Sequence, residues 1–112
     1  MVSISDDFAR EMLAHTKIYC LVILKKGPKR DEPGAEEIVW QHGKRNFALR
    51  AEGKLSIVLP VIDGTDLRGV CVFNISPEET KKIMDEDPAV KAGVLNYELN
   101  LCQSFPGDCL PG

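Results

Sequence analysis

The sequence lacks any apolar run near the ~20 residues that a helix needs to cross a bilayer, so we expect no membrane-spanning segment. It also lacks an excess of basic residues. Lys and Arg total 14 against 17 Asp and Glu, for a net charge of −3, whereas nucleic-acid-binding domains usually carry a strongly basic surface. We therefore expect neither a membrane nor a nucleic acid among the partners.

Metal-binding patterns are missing as well. The four cysteines, at positions 20, 71, 102 and 109, show no C-x-x-C spacing, and the two histidines lie far apart. This argues against a zinc site, and we expect neither a metal nor a cofactor. The chain shows no signal-peptide pattern and no disulfide-like framework of cysteines, so we expect a cytoplasmic protein.

The chain has the length and composition of one globular domain. Its 112 residues bury roughly two-thirds of the surface that the unfolded chain exposes. A hydrophobic content of 44% with 28% charged residues is ordinary for such a domain. No internal repeat or low-complexity segment interrupts it.

Hydrophobic periodicity and turn residues divide the chain into helices and strands. In the first helix, Phe8, Met12 and Leu13 recur at helical spacing, and we expect this apolar edge to dock on the domain. We predict a leading helical extension at 1–16, an α+β domain at 17–103 and a C-terminal tail at 104–112. Within the domain the predicted elements are a strand at 17–26, a helix from about 33 that closes at Gly53 as a left-handed cap, strands at 55–61 and 67–75, a helix at 77–85 and a strand at 93–102.

This order predicts the fold class, an α+β ferredoxin-like βαββαβ two-layer sandwich. Helices in this plan cover only one face of the sheet. The strands at 17–26 and 67–75 are nevertheless apolar on both faces, as expected of covered strands. Because monomers rarely expose a large apolar patch, we predict a homodimer that pairs sheet to sheet.

The helix that contains His42 provides the candidate site. Ile38, Val39, Phe47 and Leu49 recur at helical spacing, and His42 falls on the same core-facing stripe. A buried imidazole needs a polar partner. The best candidate is an aspartate in the turn DPAVKAG near the far end of the chain, namely Asp87.

Two nearby features have alternative interpretations. Gly43, inside the same helix, either allows close backbone packing, which we favour, or leaves room beside the histidine for a small ligand. Lys25, Lys26, Lys29 and Arg30 cluster before an acidic pair. A solvated loop is the favoured interpretation, and a site for an acidic ligand is the alternative.

Two segments carry a resemblance to a known family. The first is His42 followed by Gly53 and Leu55, and the second is DPAVKAGVLNYEL, residues 87–99. Residues 67–70 fit the entry to the third strand. On these motifs the sequence resembles the YCII-related domain family of the dimeric α+β barrel superfamily.

The resemblance implies a His–Asp dyad, here His42 and Asp87, at a pocket between helix and sheet. A carboxylate that fixes one ring nitrogen leaves the other free to exchange a proton, as in general acid–base elimination, isomerisation or dehydrohalogenation of a small molecule. One alternative is that the aspartate merely satisfies a core histidine and has no chemical role. The others are a non-catalytic homodimeric module that binds a small ligand in the same pocket and, less favoured, a haem-binding protein. By strand position, Arg68 and Tyr97 are candidate substrate-binding residues. The favoured interpretations are a solvated strand end for Arg68 and a core position for Tyr97.

Overall fold

The computed structural model describes residues 1–112. The helices and strands are α1 Asp6–Ala14, β1 Lys17–Lys26, α2 Ala35–Ala51, β2 Leu55–Pro60, β3 Leu67–Phe73, α3 Pro77–Asp85, α4 Pro88–Lys91 and β4 Leu95–Ser104. Among the helices, none combines the length and the apolar composition that crossing a membrane would require.

The four strands form one antiparallel sheet in the order β2-β3-β1-β4. β1 lies between β3 and β4, so that Cys20 stands opposite Phe73 of β3 on one side and Leu101 of β4 on the other. With α2 between β1 and β2, and α3 and α4 between β3 and β4, the chain is an α+β ferredoxin-like βαββαβ sandwich, as predicted.

The core lies on one face of the sheet. Alternate residues of β1, namely Cys20, Val22 and Leu24, are buried on this face, as expected for side chains that point to one side of a strand. They belong to one apolar cluster with Leu49 of α2 and Met84 of α3. The helices therefore cover the face of the sheet that carries these residues.

The other face, which we call the open face, has no layer of helices against it. Leu21 and Ile23 of β1 and Val70 and Val72 of β3 lie on it, and all four are only half-buried. The expectation that both faces of β1 and β3 are covered is therefore not met within one chain. A covering layer for the open face has to come from outside the chain or is absent.

The leading helix differs from its prediction. Ser5 caps α1 by accepting a hydrogen bond from the Phe8 amide, and acidic residues occupy the first turn, so local interactions stabilise the helix. None of its residues is buried, and Leu13 is 63% exposed. The predicted docking of its apolar edge on the domain is therefore wrong.

The ends of other helices and strands differ from the predicted ends by a few residues. α2 begins at Ala35 rather than near Pro33, because Gly34 takes the left-handed conformation, with φ 89°, as the N-cap. Gly53 has φ 76°, which confirms the left-handed cap after the helix. β4 runs from Leu95 to Ser104, two residues later at each end than the strand predicted at 93–102.

The turn at Asp87–Pro88 contains an element that was not predicted. It ends α3, as expected, and then starts the one-turn helix α4 at Pro88. The carboxylate of Asp87 accepts hydrogen bonds from the amides of Ala89 and Val90 and so provides the N-cap. The capping side chain converts an expected stop into the beginning of a helix.

Candidate functional site

α2 presents a polar pair to the interior. Its buried residues are Ala35, His42, Asn46 and Leu49, whose spacings of seven, four and three place them on one side of the helix. His42 is 8% exposed, which confirms its predicted position on the core-facing stripe. Phe47 was predicted on the same stripe but is 66% exposed, because it follows one residue after the inward-facing Asn46.

The predicted contact between His42 and Asp87 is present. Nδ1 of His42 lies 2.7 Å from Oδ2 of Asp87, which is fully buried. The other carboxylate oxygen, Oδ1, accepts hydrogen bonds from the backbone amides of Ala89 at 2.8 Å and Val90 at 3.3 Å. The N-cap of α4 thus holds the carboxylate in the orientation that meets the imidazole.

These contacts set the protonation state of Asp87. Burial on its own raises the pKa of the carboxyl group. The hydrogen bond and charge of His42, together with the amides of Ala89 and Val90, outweigh burial and hold the pKa of Asp87 below its usual value. Asp87 is therefore an anion near neutral pH, and it accepts the Nδ1 proton of His42.

The second ring nitrogen contacts an amide. Nε2 of His42 lies 3.3 Å from Nδ2 of Asn46, one turn further along α2. An amide N–H donates, so Nε2 carries the lone pair while Nδ1 carries the proton towards Asp87. Both contacts agree on this tautomer. Sequence analysis did not single out Asn46, although its spacing of four residues from His42 was the available signal.

A cavity of about 350 Å³ opens beside the histidine, between α2 and the β2–β3 side of the sheet. Apolar side chains such as Val39, Val58 and Leu95 form much of its wall, and His42 also borders it. Asp87 does not border it. Because Nδ1 is bonded to Asp87, a ligand can use only Nε2, and to do so it has to displace the amide of Asn46 from that nitrogen.

Gly43 borders the same cavity. A Cβ atom added at this position would meet no heavy atom within 4 Å. The favoured interpretation, close backbone packing, is therefore wrong, and the alternative applies: the missing side chain leaves room beside His42.

The structure separates the two predicted substrate-binding residues. Arg68 borders the cavity, whereas Tyr97 is absent from its wall. The hydroxyl of Tyr97 donates to Oδ1 of Asp85 at 2.6 Å. Burial, together with this carboxylate, raises the pKa of Tyr97 to about 12. The structure thus brings Arg68 to the histidine's cavity, while ligand binding by Tyr97 stays a prediction without a cavity contact.

Two further arginines belong to the site. Arg30 borders the cavity and donates to Glu36 at 2.9 Å, so part of the basic loop reaches the pocket that the acidic-ligand alternative requires. Nη1 of Arg45 lies 3.5 Å from Oδ2 of Asp87. Arg45 was not singled out, since its role depends on where the α3–α4 turn folds back.

Cys71 is the thiol that borders the cavity. Burial, with a smaller effect of the Asp87 charge, raises the pKa of this thiol to about 11. A thiol is a nucleophile only as the thiolate, so Cys71 forms part of the wall and is not an activated nucleophile. No group of three or more His, Cys, Asp and Glu side chains is placed to hold a metal ion.

Comparisons with known proteins add little to this geometry. No family model and no curated protein matches the sequence. The fold is similar to that of a 5-chloro-2-hydroxyhydroquinone dehydrochlorinase from Burkholderia phenoliruptrix AC1100, whose structure was solved in complex with 2,5-dihydroxybenzoquinone. The TM-score is 0.45 and the identity 17%, over 73% of this chain and 89% of that one. Likeness at this level carries no inference about activity, so the ferredoxin-like fold rests on the sheet order and the helix placement, and membership of the YCII-related family stays a prediction.

Proposed function

We propose that the protein is an enzyme that moves a proton on a small molecule, with His42 as the general acid–base group and Asp87 as the residue that orients it. One observation carries the proposal: a buried imidazole bonded to a buried carboxylate at 2.7 Å borders a cavity of about 350 Å³. A volume of this size lies at the small end of the range for ligand pockets.

The chemistry follows from the tautomer. When a substrate displaces the Asn46 amide, the lone pair of Nε2 accepts a proton from a substrate carbon or hydroxyl group, and the buried anion of Asp87 stabilises the imidazolium that results. The same nitrogen returns the proton to another substrate atom in an isomerisation, or the electrons expel a leaving group in an elimination. Since Cys71 stays protonated, the proposal involves no covalent intermediate.

A matched pair of variants tests the proposal. His42→Gln removes the basic nitrogen, whereas Lys44→Gln alters an exposed position of the same helix. On a panel of small cyclic ketones, lactones and halogenated phenols, we expect His42→Gln to lower the rate by about 10²–10⁴-fold and Lys44→Gln to leave it unchanged. Equal turnover by wild type and His42→Gln would refute the proposal.

A specific observation favours the second candidate, a non-catalytic ligand-binding module. Asn46 already occupies Nε2 of His42, and Asp87 has a structural task as the N-cap of α4. A module of this kind binds small anions or phenols without turning them over. Thermal shift distinguishes the two candidates, because His42→Gln would then weaken ligand stabilisation while no substrate of the panel reacts.

We also propose that two copies pair through the open face. Leu21, Ile23, Val70 and Val72 support this, because they form a half-exposed apolar surface at the centre of the sheet. A groove of about 920 Å³ runs between this face and the C-terminal tail. The cytoplasmic location, which depends on cysteine usage, stays a prediction.

A further inference from the structure

Arg68 sits at an irregularity of the sheet. In the pairing of β1 with β3, Leu24 stands opposite Gly69 and the next residue, Lys25, stands opposite Leu67. Arg68 is therefore the extra residue of a β-bulge. Bulges turn a side chain away from the direction that regular alternation would impose. Arg68 is one of the residues that border the histidine's cavity.

The guanidinium of Arg68 has an unmet hydrogen-bonding group. Its Nε is buried and has no hydrogen-bond partner, the one such side-chain atom of the protein. A buried N–H without an acceptor costs free energy and is rare in native proteins. No carboxylate lies within ion-pair distance of this arginine.

Two aspartates near Arg68 have other partners. Asp31 forms an ion pair with Lys26 at 2.6 Å. Asp63 accepts from the backbone amide and the hydroxyl of Thr65, at 3.1 and 2.7 Å. The charges of both aspartates interact with that of Arg68, but neither carboxylate accepts a hydrogen bond from its Nε.

The charged residues that border the cavity are all positive. Arg30 and Arg68 border it, whereas no Asp or Glu does. This contrasts with the whole chain, whose net charge is −3. Arg30 already pairs with Glu36, so Arg68 is the cation left for an anion, and an apolar wall lowers the local dielectric and strengthens this attraction. A fixed guanidinium fork also matches the two oxygens of a carboxylate.

We propose that the cavity takes a small organic carboxylate whose anionic group binds Arg68 and whose carbon frame lies on the apolar wall beside His42. The assignment of a reacting atom to His42 rests on the proposed function, whereas the binding of the anion does not. At about 30 Å³ per water-sized group, the cavity of about 350 Å³ holds roughly a dozen such groups, which suits a single ring with one carboxylate.

Benzoate and benzamide make a matched pair of probes, since they share size and shape and differ in charge. Binding is measured by NMR titration, with the amide signals of Gly43 and Gly69 as reporters because both residues border the cavity. We expect benzoate to bind about 10- to 100-fold more tightly than benzamide, as for a charge-assisted hydrogen bond in place of a neutral one. Equal affinities, or no saturable shift with benzoate at millimolar concentrations, would overturn the proposal.

Substitutions of Arg68 test whether the anion binds at this residue. Arg68→Gln should reduce benzoate affinity to that of benzamide, and Arg68→Lys should restore only part of it because a lysine lacks the fork. Arg10→Gln, an exposed arginine of α1, makes the same change in net charge and should have no effect. Unchanged benzoate binding by Arg68→Gln refutes the assignment.

The two proposals fail separately. If His42→Gln retains full turnover on every substrate while benzoate still depends on Arg68, the acid–base proposal is wrong and the anion site stands. If benzoate and benzamide bind alike while His42→Gln abolishes turnover, the anion site is wrong and the acid–base proposal stands.

Discussion

Replacing Asp87 separates its two tasks, because alanine removes both and asparagine removes only one. Asp87→Ala deletes the N-cap of α4, worth about 0.5–2 kcal/mol, and leaves His42 and Arg45 without their buried acceptor. Because His42 is neutral in this tautomer, the second loss is that of a hydrogen bond to a charged acceptor, and a buried donor left unpaired costs about 1–3 kcal/mol. The two losses share one carboxylate and are not strictly additive, so we expect a decrease of about 2–4 kcal/mol in the free energy of unfolding.

Asp87→Asn keeps the cap, since asparagine caps helices as well as aspartate does, and it removes the charge. With its one oxygen on the cap, the asparagine turns its NH₂ group towards Nδ1 of His42, so the imidazole has to shift its proton to Nε2 to accept this neutral hydrogen bond. We expect a decrease of only about 1–2 kcal/mol. Urea denaturation followed by circular dichroism measures both variants. A loss in Asp87→Asn as large as that in Asp87→Ala would show that the cap contributes nothing.

The pH dependence gives an independent test of the same residue. Because the pKa of Asp87 is lower in the folded protein than in the unfolded chain, the unfolded state binds more protons between the two values. The stability that Asp87 contributes is therefore complete above about pH 4 and is lost as the pH falls through the lower, folded pKa. Asp87→Asn should show a shallower loss on acidification than wild type. Identical acid slopes would refute the reasoning.

Three further changes test other parts of the account. Gly43→Leu should fill the cavity and abolish ligand binding without loss of stability, since its Cβ meets open space and leucine favours the helix by up to about 1 kcal/mol. Gly43→Ala is the control. A loss of stability above about 2 kcal/mol for Gly43→Leu on urea denaturation would instead indicate close packing. Val72→Lys on the open face should give a monomer by analytical ultracentrifugation where wild type gives a dimer; a wild-type monomer at micromolar concentration would contradict the pairing. In native protein at pH 8, iodoacetamide should modify the exposed Cys109 and spare Cys71, whose thiol pKa is raised to about 11; mass spectrometry that finds Cys71 modified would contradict its burial.

Local signals predicted most of the fold. β1 begins and ends at the predicted residues, because an unbroken apolar run is followed by Gly27–Pro28, which ends a strand. α3 matches as well, from the Ser76 cap with proline at the first helical position. These elements depend on short-range chemistry, which the sequence displays directly.

The incorrect predictions depend on contacts between residues that lie far apart in the sequence. α4 escaped prediction because Asp–Pro ends one helix and starts another equally well, and only the position of the Asp87 carboxylate decides. The docking of α1 failed because helical periodicity shows that an apolar edge exists and not what lies against it. The side of α2 that faces the core was placed correctly for His42 and wrongly for Phe47.

The candidate site was likewise predictable only in part. His42 followed from periodicity, and its contact with Asp87 from the need of a buried imidazole for a partner. The cavity, the unpaired N–H of Arg68 and the contact of Arg30 depend on a β-bulge and on how the basic loop folds over the sheet. Neither the β-bulge nor the fold of the basic loop has a sequence pattern of its own.

The tautomer of His42 tests the central claim most directly, because the proposed chemistry needs a proton on Nδ1 and a lone pair on Nε2. A two-dimensional ¹H–¹⁵N spectrum of the imidazole, recorded with the ring neutral, reads this state. We expect a protonated Nδ1 and an unprotonated Nε2 for His42 in wild type, with a change in the Nδ1 signal in Asp87→Asn. A proton on Nε2 and a bare Nδ1 would contradict the dyad and with it the proposed acid–base role.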